Sequence, residues 1–135
     1  TRVRSSAASD VYKRQEWDYG AYDGLTSREI NARRPGWSLW ADGCPDGEDA
    51  ATVAARTDRI VARCRATTGP SLLFAHGHLL RVLAARWLGA APDLGASLGL
   101  STAAVCVLGW ERDTPVIARW NDTTHLDPAG SVGLA

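Results

Sequence analysis

The sequence contains no methionine, only one lysine and no long hydrophobic segment. Without a methionine, residue 1 is not a translational start, so we expect the native protein to begin upstream. No apolar run approaches the roughly 18 residues that a transmembrane helix needs, and no charged-then-apolar leader marks secretion. The 15 basic and 15 acidic residues cancel, so no net field favours nucleic acid or an anionic membrane surface. The sequence therefore predicts no nucleic-acid partner and no membrane partner.

Cysteine is scarce as well. Cys44, Cys64 and Cys106 are odd in number, and no two of them have CxxC spacing. Disulfide frameworks and zinc sites usually show even counts or paired spacings, so this pattern favours reduced thiols. We therefore expect a cytoplasmic protein and no zinc site built on cysteines.

The start of the chain differs in character from the rest. Residues 1–15 include Lys13 and show no usable periodicity, whereas the remainder is rich in Ala, Gly, Arg and Trp. We interpret residues 1–15 as a foreign or disordered leader. Residues 16–126 then form one domain, and residues 127–135 form a C-terminal tail. A 135-residue chain is long enough to bury roughly two thirds of its unfolded surface.

Apolar spacing and capping residues predict an α/β chain with three helices, a hairpin and one buried strand. The helices are a short one opened by a Thr26–Glu29 capping box and ended by Pro35-Gly36, a long amphipathic one from Glu48 to about Thr67, and one from His78 to Gly89. The strands are Ser71–Ala75, Ala103–Glu111 and Pro115–Trp120, the last two joined as a hairpin. Residues 37–47 are expected to form a loop.

The most informative stretch is SLLFAHGHLLR, residues 71–81. A buried strand that turns directly into a helix leaves the first N–H groups of the helix unpaired beside His76, Gly77 and His78. Free N–H groups and the positive end of the helix dipole attract anions, so this stretch predicts a phosphate site. Taken alone, His76 could equally be a satisfied core histidine, and His78 could simply begin the helix.

An acid is the second requirement of phosphoryl transfer, because the leaving oxygen must be protonated. Glu16 lies in an aromatic loop, EWDYGAYDG, and is the candidate for this role. An exposed loop carboxylate is the simpler interpretation, and Asp18 and Asp23 lie nearby. A different hypothesis is a metal-dependent hydrolase in which His76 and His78 share a divalent ion, although no further ligand cluster lies close in sequence.

Residues 16 to about 126 resemble the histidine phosphatase superfamily, which has the phosphoglycerate-mutase-like fold. The resemblance rests on four stretches in order: Glu16-x-x-Tyr19-Gly20-x-x-x-Gly24, Pro45-Asp46-Gly47-Glu48, Phe74-Ala75-His76-Gly77-His78, and Arg119 to Leu126.

The resemblance implies a three-layer α/β/α sandwich that is incomplete at its N-terminus. It also implies hydrolysis of a small-molecule phosphomonoester through a phosphohistidine, without metal or other cofactor. By the same resemblance, Glu16 matches the proton donor and His76 the histidine that steadies the phosphate. Gly77 and His78 match residues that line the phosphate pocket, and Tyr19 matches one near the substrate.

One motif of the family is missing from these 135 residues. The nucleophilic histidine belongs to an Arg-His-Gly motif after the first strand, and the sequence contains no Arg-His-Gly. We therefore expect this chain to resemble the C-terminal portion of a phosphatase and to be inactive or nearly so by itself. The alternative is a non-catalytic module that binds a phosphorylated ligand or a protein. A missing strand would also leave an apolar sheet edge that invites association.

Overall fold

The computed structural model describes residues 15–126. These residues form four α-helices, two short 3₁₀ turns and one antiparallel hairpin. In chain order they are the turn Gly20–Tyr22, α1 (Ser27–Arg33), α2 (Leu39–Asp42), α3 (Ala50–Ala66), α4 (Gly77–Trp87), the turn Pro92–Ser97, β1 (Val105–Glu111) and β2 (Thr114–Asp122). Most of the predicted leader and the whole predicted tail, residues 1–14 and 127–135, lie outside the described residues.

The first helix begins with the predicted capping box. The Thr26 side chain accepts a hydrogen bond from the Glu29 N–H, and the Glu29 carboxylate accepts one from the Thr26 N–H. Two N–H groups that a helix start would leave unpaired are thereby satisfied. Ile30 buries the inner side of α1 in the core.

Helices α3 and α4 pack against each other and carry most of the core. The apolar stripe predicted for the long helix consists of Val53, Thr57, Ile60, Val61 and Cys64. The first four are buried, and Cys64 is half-buried and packs against the cluster that α3 and α4 share. The helix begins two residues later than predicted, at Ala50, because the Asp49 side chain accepts a hydrogen bond from the Thr52 N–H and caps it. Charged residues before a cap do not extend a helix, so Glu48 lies outside α3.

The hairpin is confirmed, with slightly shifted limits. Trp110 pairs with Pro115 and Val107 with Arg119, around a turn in which Arg112 has a positive φ of 55°. Leu108 packs against the buried cluster that α3 and α4 share.

The buried strand predicted at Ser71–Ala75 is wrong for the described part of the chain. The segment forms no strand, and Leu72 and Phe74 are 79% and 76% exposed. Leu73 and Ala75 pack against the helices, so the burial still alternates with the period of a strand. Within residues 15–126 the only two strands pair with each other, which leaves this segment no strand to join.

The loop predicted over residues 37–47 contains a short helix. Leu39–Asp42 forms α2, and Leu39 is buried. The Trp37 side chain donates from Nε1 to the Gly43 carbonyl oxygen at 2.9 Å, which closes the chain around this single helical turn. A four-residue helix is too short to produce a periodic pattern that sequence analysis could detect.

Candidate active site

The Glu16 carboxylate lies at the N-terminus of α4. Its Oε2 accepts a hydrogen bond from the His78 N–H at 3.1 Å, and its Oε1 accepts one from the Leu79 N–H at 2.9 Å. The Trp17 N–H also donates to Oε1, at 2.9 Å. A residue more than 60 positions away in sequence therefore caps this helix, where N–H groups and the helix dipole favour negative charge.

This contact changes the predicted role of the amides. The His78 N–H, which the sequence analysis assigned to phosphate, is bound to Glu16 instead. Gly77 lies beside the same carboxylate, since a Cβ at Gly77 would be 4.0 Å from Glu16 Oε2. Within residues 15–126 the Gly77 N–H has no hydrogen-bond partner, so it is the amide that stays available to an anion.

His76 is the N-cap residue of α4, with an extended backbone that precedes the helix. Its side chain makes no capping hydrogen bond and is exposed. The imidazole therefore stands at the helix end, beside the Gly77 amide in the chain, and is accessible to a ligand from solvent.

The side chains of His78 and Tyr19 contact each other next to Glu16. The Tyr19 hydroxyl is 2.8 Å from His78 Nδ1, and Glu16 Oε2 is 3.8 Å from the same nitrogen. Burial raises the pKa of Tyr19 to about 12, and the Glu16 charge adds to this effect. Burial also lowers the pKa of His78, and Arg81 lowers it further, while Glu16 opposes them. When the neutral imidazole carries its proton on Nε2, Nδ1 accepts a hydrogen bond from the Tyr19 O–H.

A buried ion pair holds the loop that carries Glu16. Arg56 on α3 donates from Nε and Nη2 to the two carboxylate oxygens of Glu48, both at 2.8 Å. The same guanidinium donates to the backbone oxygens of Gln15 and Glu16 at 2.7 and 3.0 Å. The side chains of Arg56 and Glu48 are only 6% and 12% exposed. This bidentate contact fixes the backbone of Glu16 and therefore the position of its carboxylate.

The loops on either side of this ion pair touch closely. The Ala21 N–H donates to the Pro45 carbonyl oxygen at 2.8 Å. At Gly47 a Cβ would lie 2.3 Å from the Asp18 carbonyl oxygen, so only glycine fits there. The motif Pro45-Asp46-Gly47-Glu48 thus packs directly against the backbone of the Glu16 loop.

A cavity of about 520 Å³ opens beside His78 and Tyr19. The indole of Trp40 stacks edge-on against the His78 ring with 5.7 Å between the ring centroids. The lining residues are mostly aromatic or aliphatic: Tyr19, Tyr22, Asp23, Gly24, Leu25, Ser27, Ile30, Trp37, Ser38, Leu39, Trp40, Cys44 and His78.

The described residues offer little to a metal ion. Between residues 15 and 126, no group of three or more His, Cys, Asp or Glu side chains is placed to hold one. His78 Nδ1 is occupied by Tyr19, and the His76 ring is exposed. The hypothesis of a metal ion shared by His76 and His78 therefore has no third side-chain ligand in this part of the chain.

In the same residues, no helix has the length and apolar character needed to cross a membrane.

Comparison with known proteins places this geometry in a family. The family model described as "Histidine phosphatase superfamily (branch 1)" matches residues 12–123. This chain belongs to the histidine phosphatase superfamily. The match includes every residue of the site described above, from Glu16 to His78.

Two curated relatives are named phosphatases. The chain is 35% identical over 115 residues to an acid phosphatase of Mycobacterium tuberculosis, a match that covers 84% of this chain and 57% of that protein. It is 36% identical over 93 residues to the sedoheptulose 1,7-bisphosphatase of Saccharomyces cerevisiae, covering 56% of this chain and 34% of that protein. The chain thus spans little more than half the length of the first relative and a third of the second.

Solved structures support the α/β, phosphoglycerate-mutase-like fold class. An open reading frame product of M. tuberculosis superimposes with a TM-score of 0.78 at 35% identity, over 84% of this chain and 60% of that one. The α-ribazole phosphatase of Shigella flexneri gives a TM-score of 0.65 at 17% identity, over 82% of this chain and 58% of that one. At this identity the second likeness shows the fold alone.

The structure therefore brings together four of the five residues singled out from the sequence. Glu16, Tyr19, Gly77 and His78 meet at the start of α4, and His76 stands exposed at the same end. Sequence analysis missed Arg56. It lies between Val53 and Ile60 at helical spacing, so a charged residue on the buried stripe of α3 was the available signal.

Proposed function

We propose that this chain carries the acid side of the active site of a histidine-type phosphomonoester phosphatase. The observation that carries the proposal is that the Glu16 carboxylate binds the N-terminus of α4, where His76 is the exposed residue that precedes the helix. Family membership and two relatives named as phosphatases support it. The substrate is a small phosphorylated molecule.

In the proposed reaction each group has one role. A histidine supplied by an Arg-His-Gly motif attacks phosphorus, and the bond from phosphorus to the ester oxygen breaks. Glu16 gives its proton to that departing oxygen, while His76 and the Gly77 amide bind the oxygens of the phosphoryl group. Water then attacks the phosphohistidine, the deprotonated Glu16 takes its proton, and inorganic phosphate and the free histidine result.

The two oxygens of Glu16 are not equivalent in this scheme. Oε1 accepts two N–H donors, whereas Oε2 accepts one and lies 3.8 Å from His78 Nδ1. We assign the transferable proton to Oε2, because the oxygen with fewer donors has the lone pair to hold it. Tyr19 and His78 then border the space into which the alcohol leaves.

The 135 residues contain no Arg-His-Gly, and so the chain by itself lacks this nucleophile. We therefore propose that the chain alone binds phosphate and turns over phosphomonoesters little or not at all. The missing motif also favours a second candidate, a module that binds a phosphorylated ligand or a protein partner without catalysis.

The test of phosphate binding uses the 135-residue chain, with inorganic phosphate as the probe and heteronuclear NMR as the readout. We expect the Gly77 amide and the His76 ring to shift on titration, and 4-nitrophenyl phosphate to be hydrolysed no faster than by a heat-treated sample. Glu16→Gln should change the Gly77 amide environment, whereas Glu111→Gln, an exposed change at the end of β1, should not. Shifts confined to other residues would contradict the proposal, as would turnover at the rate of an ordinary phosphatase or turnover abolished by a chelator.

The coding sequence upstream of the Glu16 codon separates the two candidates. If it encodes a strand ending in Arg-His-Gly, the longer protein should hydrolyse phosphomonoesters, and Glu16→Gln should lower its kcat by about 10² to 10⁴. If residues 1–15 are continuous with the gene, the catalytic proposal fails and the binding module remains.

A further inference from the structure

The cavity next to Glu16 has aromatic walls. The lining residues Tyr22 and Trp37 stack edge-to-face with 5.4 Å between ring centroids, and the lining residue Trp40 stacks in the same way on the buried Trp17 at 5.6 Å. The Trp37 side of the cavity is fixed, since Trp37 Nε1 donates to the Gly43 carbonyl oxygen at 2.9 Å. Walls that are held in place before binding cost a ligand little ordering entropy, and aromatic faces favour flat apolar groups.

The charge of the cavity is the second observation. Within residues 15–126 no lysine or arginine lines the cavity, and the one carboxylate among these lining residues, Asp23, is exposed. Arg81 is the basic side chain behind the wall, with its guanidinium 4.9 Å from the centre of the Trp40 ring. Arg81 Nε and Nη2 donate to the carbonyl oxygens of Gly95 and Ala96. The guanidinium thus donates to backbone oxygens of residues outside the cavity lining, and among residues 15–126 no basic side chain lines the cavity to bind a second phosphate.

We infer that the cavity receives the alcohol part of the substrate and that this part is a flat apolar group without a second phosphate. This inference rests on the proposed function, which puts the phosphoryl group at His76 and Gly77. Tyr19 and His78 connect the proposed phosphate site to the cavity. His78 lies beside the Glu16 carboxylate, Tyr19 contacts His78, and both residues line the cavity. An aryl phosphomonoester fits, whereas a sugar bisphosphate would bring an anion to Asp23.

The binding test uses the 135-residue chain and four probes: inorganic phosphate, 1-naphthyl phosphate, glycerol 3-phosphate and fructose 1,6-bisphosphate. Affinities come from NMR titration, with the indole N–H signals of Trp37 and Trp40 as reporters of the cavity. We expect 1-naphthyl phosphate to bind about tenfold or more tightly than glycerol 3-phosphate and the bisphosphate, since a ring of this size buries substantial apolar area. Equal affinities, or a tighter bisphosphate, would overturn the inference.

A charge variant tests the same point without touching the core. Asp23→Lys places a cation at the rim and should strengthen fructose 1,6-bisphosphate binding by about threefold or more, with little effect on 1-naphthyl phosphate. Asp113→Lys is the matched control, because it makes the same charge change in the hairpin turn, outside the cavity lining. An equal gain in both variants would show a non-specific charge effect and contradict the inference.

A fifth probe, 1-naphthol, separates failure of the inference from failure of the proposed function. If phosphate shifts Gly77 while 1-naphthol leaves the Trp37 and Trp40 signals unchanged, the cavity inference fails and the proposed function stands. If 1-naphthol shifts the indoles but phosphate leaves Gly77 unchanged, the proposed function fails, and with it the assignment of the cavity to a substrate.

Discussion

At the scale of single residues, the contact between Tyr19 and His78 depends on the protonation of both. The Tyr19 hydroxyl and His78 Nδ1 are 2.8 Å apart, and Nδ1 can accept from this hydroxyl only while the imidazole is neutral with its proton on Nε2. Burial is the main reason that the pKa of His78 is lowered, because desolvation penalises the charged ring. Protonation of His78 would therefore cost the folded protein both desolvation energy and this hydrogen bond.

The lowered pKa of His78 predicts a stability loss at acidic pH. Below about pH 6.5, the unfolded chain binds a proton on this histidine more readily than the folded chain does. The free energy of unfolding should therefore be highest above this pH and decrease as pH falls through the lowered pKa of the folded state. Urea unfolding at pH 7.5 and pH 5.0 measures the effect.

Two glutamine variants serve as the comparison for this pH effect. His78→Gln should lose part of the decrease in unfolding free energy between pH 7.5 and pH 5.0. His125→Gln, in which the replaced ring is exposed, should keep it. If His78→Gln shows the same pH dependence as the unmodified chain, the assigned cause is wrong.

Most of the candidate site residues could be selected from the sequence, because they lie in short local motifs. Glu16, Tyr19, Gly77 and His78 were found from two short stretches of sequence. The hydrogen bonds between these residues could not be predicted. The Glu16 carboxylate and the His78 N–H, for example, are 62 positions apart in sequence. Sequence analysis therefore predicted a phosphate at an amide that the folded chain gives to its own carboxylate.

At the scale of secondary-structure elements, α3 holds the Glu16 loop through one buried ion pair. The Arg56 guanidinium donates to the Glu48 carboxylate and to two backbone oxygens. Its loss removes the counter-charge of the largely buried Glu48 carboxylate, which keeps the hydrogen bond from the Asp18 N–H. The predicted helix began at Glu48, and this boundary was wrong. Glu48 precedes the Asp49 cap and belongs to the ion pair.

Replacing Arg56 should cost much of the stability of the domain. Arg56→Met keeps the volume but removes every donor, and we expect a loss of about 3–5 kcal/mol in the free energy of unfolding. The Glu16 signals should also shift in NMR spectra, because the loop loses its anchor. Urea unfolding of purified variants measures the first effect.

The control for Arg56→Met lies on the same helix. Arg59→Met makes the same change at an exposed position and should alter the free energy by about 0.5 kcal/mol or less. Adding Glu48→Gln to Arg56→Met should recover part of the loss, since the buried charge is removed. A loss below about 1 kcal/mol in Arg56→Met would contradict this account.

Elements with strong local signals were predicted well, and elements that depend on distant partners were not. The capping box of α1, the apolar stripe of α3 and the hairpin turn are each encoded within a few residues. The segment Ser71–Ala75 has the composition and alternating burial of a strand, but a strand needs a neighbour to receive its N–H and C=O groups. No local pattern shows whether that neighbour is present.

At the scale of the whole molecule, the segment Ser71–Ala75 gives the described part of the chain an exposed apolar edge. Leu73 and Ala75 rest on the helical core, while Leu72 and Phe74 point to solvent from the same segment. Side chains of this size are rarely so exposed together next to unpaired backbone, and such an edge favours association between molecules. The relatives are longer than this chain, with 57% and 34% of their lengths matched.

We therefore expect the 135-residue chain to self-associate as its concentration rises, through Leu72 and Phe74. Replacing both by serine should shift the sedimentation-velocity distribution toward the monomer at a concentration where the unmodified chain forms larger species. The matched control replaces Leu94 and Leu126 by serine, two leucines that are 37% and 52% exposed elsewhere on the surface. The control removes less exposed apolar area, and its two side chains lie outside the Ser71–Ala75 segment, so it should leave the distribution unchanged. A monomer at all concentrations, or equal effects of the two double variants, would show that this segment is not the associating surface.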